Sequence, residues 1–357
     1  MEKVIVGMSG GVDSAVAAFL LKESGYDVEG VFMKNWNEDD DCSAEEDYKD
    51  ALMVSEVLGI PLHSVNFSKE YWDNVFSTFL DEYKKGRTPN PDILCNKEIK
   101  FKAFLQYCID LGADKIATGH YAKIVQSKNN YELHKGEDAN KDQSYFLYTL
   151  GQEALSKSLF PLAALKKKEI REIAKSENLS VYNKKDSTGI CFIGERDFKT
   201  FLKTYLFESP GDIVNSEGQV LGTHDGLMYY TLGQRQGLGI GGGHGEKNAP
   251  WYVSDKSIEK NELIAVQGKT HPNLYHKKLE ASQLHWVSGG MPDLSQSYGA
   301  KIRYRSQDAK CTMEQISKDK VELTFQEAQF AIAPGQSVVF YDGDICLGGG
   351  IIDSRSN

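Results

Sequence analysis

The sequence predicts an α/β N-terminal domain built on a parallel sheet, followed by a small central domain and a C-terminal antiparallel β-barrel. Three observations carry this. The chain opens on an apolar β-branched run, Val4-Ile5-Val6, a Ser-Gly-Gly turn and the helical pattern Ala15 to Leu21, and strands go on alternating with helices as far as Phe201. The composition then shifts: from Ser209 onward strands are short and turns frequent, as at Ser-Pro-Gly, Ser-Glu-Gly and His-Asp-Gly. From His276 polar and apolar residues alternate, as in Val321-Glu322-Leu323-Thr324-Phe325, the period of half-buried strands. The expected domains are residues 1–202, 203–272 and 273–357.

A chain of 357 residues, 40% hydrophobic, supports two or three ordinary cores. No apolar run approaches transmembrane length, so no membrane partner is expected. A chain that begins directly on a strand reads as one without a signal or transit peptide. Six cysteines at wide, irregular spacing, with no Cys-x-x-Cys pair, do not make a disulfide framework; a cytoplasmic protein with reduced thiols is expected. The net charge of −10 argues against general affinity for nucleic acid, because phosphate contacts need Lys and Arg. Local patches matter more than the total. Glu38 to Asp50 is acidic and repels RNA; Lys166 to Lys203 is basic, a run that charge alone reads equally well as a solvated helix face.

The first turn has the most specific chemistry. Backbone N–H groups at a helix start are unsatisfied and carry partial positive charge, which suits a phosphate, and Ser9 and Ser14 add hydroxyls. Asp13 is the candidate ligand of a Mg²⁺ that accompanies the phosphate. No Gly-Lys-Ser/Thr follows, so this is not a Walker loop. Val28 to Met33 reads as the second strand, with Met33 at its end as a candidate wall for an adenine ring or simply core. A helix over Ala44 to Leu58, a strand over Pro61 to Asn66 and an aromatic-rich helix over Tyr71 to Tyr83 follow.

Gly86 to Asn96 holds two prolines two apart and reads as a shaped loop presenting Asn90, Asp92, Cys95 and Asn96. With a helix expected over Lys97 to Leu111, Cys95 falls at or just before a helix N-terminus, where a thiolate is favoured, and Asp92 stands close enough in sequence to move a proton. A buried structural cysteine is the competing reading. Gly119 allows close backbone approach at another strand end, and His120 is either a phosphate or base contact or a satisfied core histidine. Asn140 to Phe146 offers polar donors before aromatics, with Asp142 as a candidate helix cap. Cys191 lies in a Ser/Thr/Gly loop between basic residues, which stabilise a thiolate; Cys42, Cys108, Cys311 and Cys346 lack such settings. Gly237 to Gly245 means backbone freedom rather than a nucleotide fingerprint, since no helix pattern follows. Arg303, Tyr304 and Arg305 are expected on one strand, pointing to alternate faces and mixing charge with a stacking surface suited to RNA.

Ser9-Gly10-Gly11-Val12-Asp13-Ser14 resembles the PP-loop of ATP pyrophosphatases. With Asn90-Pro91-Asp92-x-x-Cys95-Asn96, Gly119-His120-Tyr121, Lys141 to Phe146, Ser187 to Phe192 and Gly233 to Gly237 in this order, the chain is similar over essentially its whole length to the bacterial tRNA-specific 2-thiouridylase family. The resemblance implies an adenine nucleotide α-hydrolase-like PP-loop domain and ATP with Mg²⁺. It implies as substrates the tRNAs for Lys, Glu and Gln, thiolated at position 2 of the wobble uridine. ATP would be held by Gly7, Met8, Ser9, Gly10, Gly11, Val12, Asp13, Ser14, Met33 and Gly119, and the flipped-out base by Asn90, Pro91 and Asp92. Cys191 would carry a persulfide from a sulfur-relay protein or cysteine desulfurase. Cys95 would either release that sulfur by forming a Cys95–Cys191 disulfide or attack C2 itself, with Asp92 as acid/base; both routes stay open. His120, Lys141, Asp142, Gln143, Arg303, Tyr304 and Gln336 match tRNA contacts.

Three rival readings differ in their needs. A PP-loop synthetase adenylating a small molecule needs an ammonia source and no pair of reactive cysteines. A non-catalytic RNA-binding protein needs no intact Ser-Gly-Gly-x-Asp-Ser loop. A thiolase for another tRNA position that uses an iron–sulfur cluster usually shows paired Cys-x-x-Cys ligands.

Overall fold

The computed structural model describes residues 1–36, 42–128, 130–186, 198–240 and 249–357. The N-terminal domain begins with β1 (Lys3–Met8), α1 (Val12–Glu23), β2 (Asp27–Lys34), α2 (Cys42–Leu58) and β3 (Leu62–Asn66). One long helix follows in three pieces, α3 (Ser68–Tyr71), a π-helical turn (Trp72–Phe76) and α4 (Ser77–Lys84). A second runs as α5 (Pro91–Leu94), a π-helical stretch (Cys95–Ala103) and α6 (Phe104–Asp110). Then come β4 (Lys115–Ala117), the hairpin β5 (Ala122–Ser127) and β6 (Asn130–Lys135), α7 (Ser144–Leu147), α8 (Gln152–Ser156), β7 (Ser158–Leu159), α9 (Lys167–Ser176) and α10 (Phe198–Lys203).

The first sheet has the order β3-β2-β1-β4-β7, parallel throughout. Both faces are covered, which is why β1 reads as an unbroken apolar run. Val4, Val6 and Met8 share one core with Val16 of α1, Val54 of α2 and Ile170 of α9; Ile5 and Val31 share another with Phe104 of α6. The strand order reverses between β1 and β4, so the crevice at their carboxyl ends is where such sheets take ligands.

The helix expected over Lys97 to Leu111 starts earlier, and Cys95 therefore lies inside it rather than at its N-terminus. Asn90 caps the first turn, its Oδ1 accepting the Asp92 N–H at 3.2 Å. Pro91 sits at the first helical position, where the missing N–H costs nothing.

The central sheet holds β8 (Gly211–Val214), β9 (Val220–His224), β10 (Trp251–Ser257) and β11 (Glu262–Gln267) in the order β10-β11-β8-β9. The last sheet contains β12 (Tyr275–Trp286), β13 (Tyr298–Lys301), β14 (Ala309–Ser317), β15 (Lys320–Phe330), β16 (Ser337–Asp342) and β17 (Ile345–Ser356), and β12 pairs with β17 to close it into a barrel. The hairpin β5–β6 joins this sheet, with Cys346 opposite Leu133, so a segment from the first half of the chain extends the C-terminal one.

Arg303, Tyr304 and Arg305 are not on a strand. β13 ends at Lys301, and the chain turns with Ser306 N–H donating to the Arg303 carbonyl at 3.2 Å and Arg305 at φ +63°. A non-glycine residue in that left-handed region cannot continue a strand. Among the described residues no helix is long and apolar enough to cross a membrane.

Candidate active site

The Ser-Gly-Gly loop stands at the end of β1. Gly10 has φ +72°, and a Cβ there would lie 2.3 Å from the Asp47 carbonyl oxygen, so only glycine fits. Ser9 N–H donates to Ser14 Oγ at 3.1 Å, and Ser14 Oγ donates to the Gly11 carbonyl at 3.1 Å. These bonds fix the loop around the start of α1, whose first N–H groups have no partner within the helix. Gly119, just past β4, presses on the same point: a Cβ there would be 2.8 Å from Asp13 C and 2.9 Å from Ser14 N. Met33 reaches back so that its Cε would touch a Cβ on Gly7 at 3.3 Å, which places it beside the loop at the strand ends. Gly7, Met8 and Val12 are buried backbone support.

Asp13 is tied at both oxygens. Tyr121 OH donates to Oδ1 at 2.6 Å, and Lys167 Nζ lies 2.8 Å from each oxygen. The same Nζ is 2.8 Å from Asp186 Oδ1, which Arg171 Nη2 also reaches at 2.8 Å, while Lys141 Nζ reaches Asp186 Oδ2 at 2.5 Å. Burial raises the Asp186 pKa, but the bonds from Lys141 and Lys167 outweigh it and hold the carboxyl down to about 2. Sequence reasoning missed this network. Charge alone does not separate a solvated face from a site in the basic run from Lys166, and the structure divides it: the Lys167 side chain is 13% exposed against 87% for Lys168. The available signal was spacing: Lys167 and Arg171 are four apart and share one face of α9.

Asn90, Pro91 and Asp92 form the start of the second long helix, and Cys95 lies one turn on, 2% exposed in the larger core. Burial pushes the half-buried Asp92 carboxyl above the usual carboxylate range, with the Lys100 charge pulling against it. Asn96 Nδ2 donates to the Phe146 carbonyl at 3.2 Å, tying this helix to α7. Cys191 lies outside the described residues, as does the whole of Ser187 to Phe192.

The residues matched to tRNA contacts are engaged within the chain. His120 is buried between the rings of Phe101 and Phe160, with Nδ1 2.7 Å from Thr118 Oγ1; burial keeps it neutral, well below the usual histidine range, and the Lys100 charge acts in the same direction. Asp142 accepts the N–H groups of Gly136 and Ser144 at 3.1 Å each, but the N-cap position of α7 is taken by Gln143 rather than by Asp142. Gln143 Oε1 accepts the Tyr121 N–H at 3.0 Å. Arg303 donates to the Leu232 carbonyl at 2.8 Å, the Tyr304 ring lies 4.4 Å from that of Phe146, and Gln336 donates to the Thr88 carbonyl at 2.7 Å.

A parallel sheet with this loop at its switch point, joined to two β domains, marks a protein of the HUP class. Residues 2–195 match the family described as tRNA methyl transferase HUP domain, residues 199–267 the tRNA methyl transferase PRC-barrel domain, and residues 276–352 the aminomethyltransferase beta-barrel domain. The chain is 59% identical over 357 residues to the tRNA-specific 2-thiouridylase MnmA of Hydrogenovibrio crunogenus, covering 99% of this chain and 94% of that one. It is 58% identical over 355 residues to the protein of that name from Francisella tularensis subsp. holarctica, covering 98% and 99%. It belongs to the tRNA-specific 2-thiouridylase family. Among solved structures it is similar to the U34-tRNA thiolase NcsA of Methanococcus maripaludis with its 4Fe-4S cluster, at 22% identity and TM-score 0.36 over 54% of this chain and 61% of that one. It is likewise similar to a 4-thiouridine synthetase in complex with RNA and ATP, at 22% and 0.36 over 57% and 49%.

Proposed function

We propose that this chain is an ATP-dependent tRNA uridine 2-sulfurtransferase, acting on the wobble uridine of the tRNAs for Lys, Glu and Gln. The observation that carries the reading is near-full-length identity to 2-thiouridylases, together with a Ser-Gly-Gly-Val-Asp-Ser loop wired for an anion at the switch point of its sheet.

A uracil carbonyl oxygen is a poor leaving group. Its attack on the α-phosphorus of ATP expels pyrophosphate and leaves C2 bearing an adenylate. A sulfur nucleophile then adds at C2 and AMP departs. The Ser9 to Ser14 loop, Met33 and Gly119 hold the nucleotide; Asn90, Pro91 and Asp92 hold the base, with Asp92 moving the proton. Cys191 carries the persulfide and Cys95 either forms the disulfide that releases sulfur or attacks C2. Asp13 is the loop's one carboxylate; to hold a Mg²⁺, which would neutralise charge on the phosphates it arrives with, it would have to exchange the Lys167 ammonium that now bonds both its oxygens. A sulfur-relay protein or cysteine desulfurase supplies the sulfur, and the compartment is the cytoplasm. His120, Asp142, Gln143, Arg303, Tyr304 and Gln336 shape or line the tRNA surface, and Lys141, on the same segment as Asp142 and Gln143, stands between that surface and the loop through its bond to Asp186. Binding through local basic patches makes affinity fall with salt.

The test is pyrophosphate release from ATP with and without unmodified tRNA for Lys, given a sulfide source, with mass analysis of the wobble base. Release that depends on tRNA, with an oxygen-to-sulfur mass gain at that base, is expected. Release indifferent to tRNA overturns the reading in favour of a synthetase for a small molecule.

A further inference from the structure

Beside the PP-loop the chain supplies both a set of cations and the anion that neutralises them. Lys167 and Arg171 come from one face of α9, Lys141 from the segment before α7, and all three converge on the Asp186 carboxylate. Both of its oxygens are taken, one by Lys167 and Arg171 and the other by Lys141. Lys167 also spans to Asp13 in the first turn of α1.

We propose that Lys141, Lys167 and Arg171 are the seat of the pyrophosphate portion of ATP, and that Asp186 fills this seat as an internal counter-anion which the nucleotide displaces. The inference rests on the reading of the PP-loop as an ATP site.

Three features support it. With Asp186 displaced, three cations would face the incoming anion against only Asp13 and Asp138, next to a helix start, the combination that binds phosphate. The cluster offers a planar guanidinium and two ammonium groups to oxygens of one small anion, the donor set that recognises phosphoryl oxygens. The side chains are also reachable: Lys141, Arg171 and Asp186 are 28%, 31% and 27% exposed, so a polyanion can compete for them. A diphosphate carries more charge than one carboxylate and presents more oxygens, so it wins the seat once it is bound through the loop.

A purely structural network makes the opposite prediction, since loss of Asp186 would then only loosen α9. The test uses the full chain, titrated calorimetrically with Mg-ATP and separately with inorganic pyrophosphate and Mg²⁺. Each variant's thermal unfolding is recorded. An internal competitor that holds a site nine times in ten weakens apparent affinity about tenfold. Asp186→Asn and Asp186→Ser should therefore bind pyrophosphate about tenfold more tightly than the natural chain, and Lys167→Met about tenfold more weakly. Unchanged or weaker binding by the Asp186 variants, while the natural chain binds ATP, overturns the counter-anion and leaves the ATP site standing. Failure of both Asp186 variants to fold makes the carboxylate a structural tie and overturns it too. A natural chain that binds neither ligand overturns the ATP-site reading and this inference with it.

Discussion

Gln336 Nε2 donates to the Thr88 carbonyl at 2.7 Å, so the C-terminal barrel grips the segment that leads into the Asn90–Cys95 helix. Thr88 N–H answers with a bond to the Pro334 carbonyl at 3.0 Å. Between these bonds Gly335, at φ +92°, lies so close that a Cβ would stand 2.8 Å from Thr88 N. Gly335→Ala must therefore displace Thr88 and tilt the helix that follows. A shift of about 1 Å at a reacting group costs about a hundredfold in rate. Single-turnover thiolation by Gly335→Ala should fall at least tenfold on that scale, while tRNA affinity in a filter-binding assay changes much less. Gln336→Ala should cost about 1 kcal/mol in urea unfolding through the lost bond. Equal loss of rate and affinity would remove the barrel from loop positioning.

The two cysteines make a separate prediction. Cys95→Ser and Cys191→Ser should each abolish sulfur transfer, because oxygen neither carries a persulfide nor exchanges with one. Binding of tRNA should stay close to that of the natural chain in both. Full thiolation by either variant would end the two-cysteine reading.

Asp92 joins stability to chemistry. Its carboxyl is held above 3.8, so the folded chain keeps a proton that the unfolded chain has released. Stability is present below that value and is lost as pH rises through the folded value. Ionising this carboxyl inside the fold opposes folding, so Asp92→Asn should raise the melting temperature while thiolation collapses. A variant that melts lower and thiolates normally would make Asp92 a structural group.

Lys256 titrates in the opposite sense at an interdomain contact. Its Nζ donates to the Gly86 carbonyl at 2.8 Å, and burial brings it down to about 8 from the usual 10.5, with Asp255 pulling the other way. Between those values the unfolded chain holds a proton that the folded chain has lost. Stability from this group therefore rises with pH, by up to about 1.4 kcal/mol per unit. Urea unfolding at pH 7 to 10 should show that rise in the natural chain relative to Lys256→Met. Parallel curves for the two would place the lysine in water.

The first strand, turn and helix were legible because their signals are local. The strand at Val4, the turn at Gly10 and the helix after it follow from residues within one or two turns of each other. Cys95 was misplaced by a local rule applied one step too far: prolines break helices, but Pro91 behind an Asn90 cap begins one. Arg303 to Arg305 continued an alternating pattern that a left-handed residue ends.

Local patterns in the chain were enough for the α/β start, the Ser-Gly-Gly turn, the two later β domains and the ordered motifs that place the chain in its family. The folded chain alone shows that Asp186 meets Lys141 and Lys167, that the β5–β6 hairpin extends the barrel sheet from β17, and that Gln336 holds Thr88 across 248 residues. Backbone propensity and periodicity act over a few residues and leave their mark in spacing. A salt bridge or a carbonyl bond between distant segments depends on how whole sheets dock, and spacing carries no record of that.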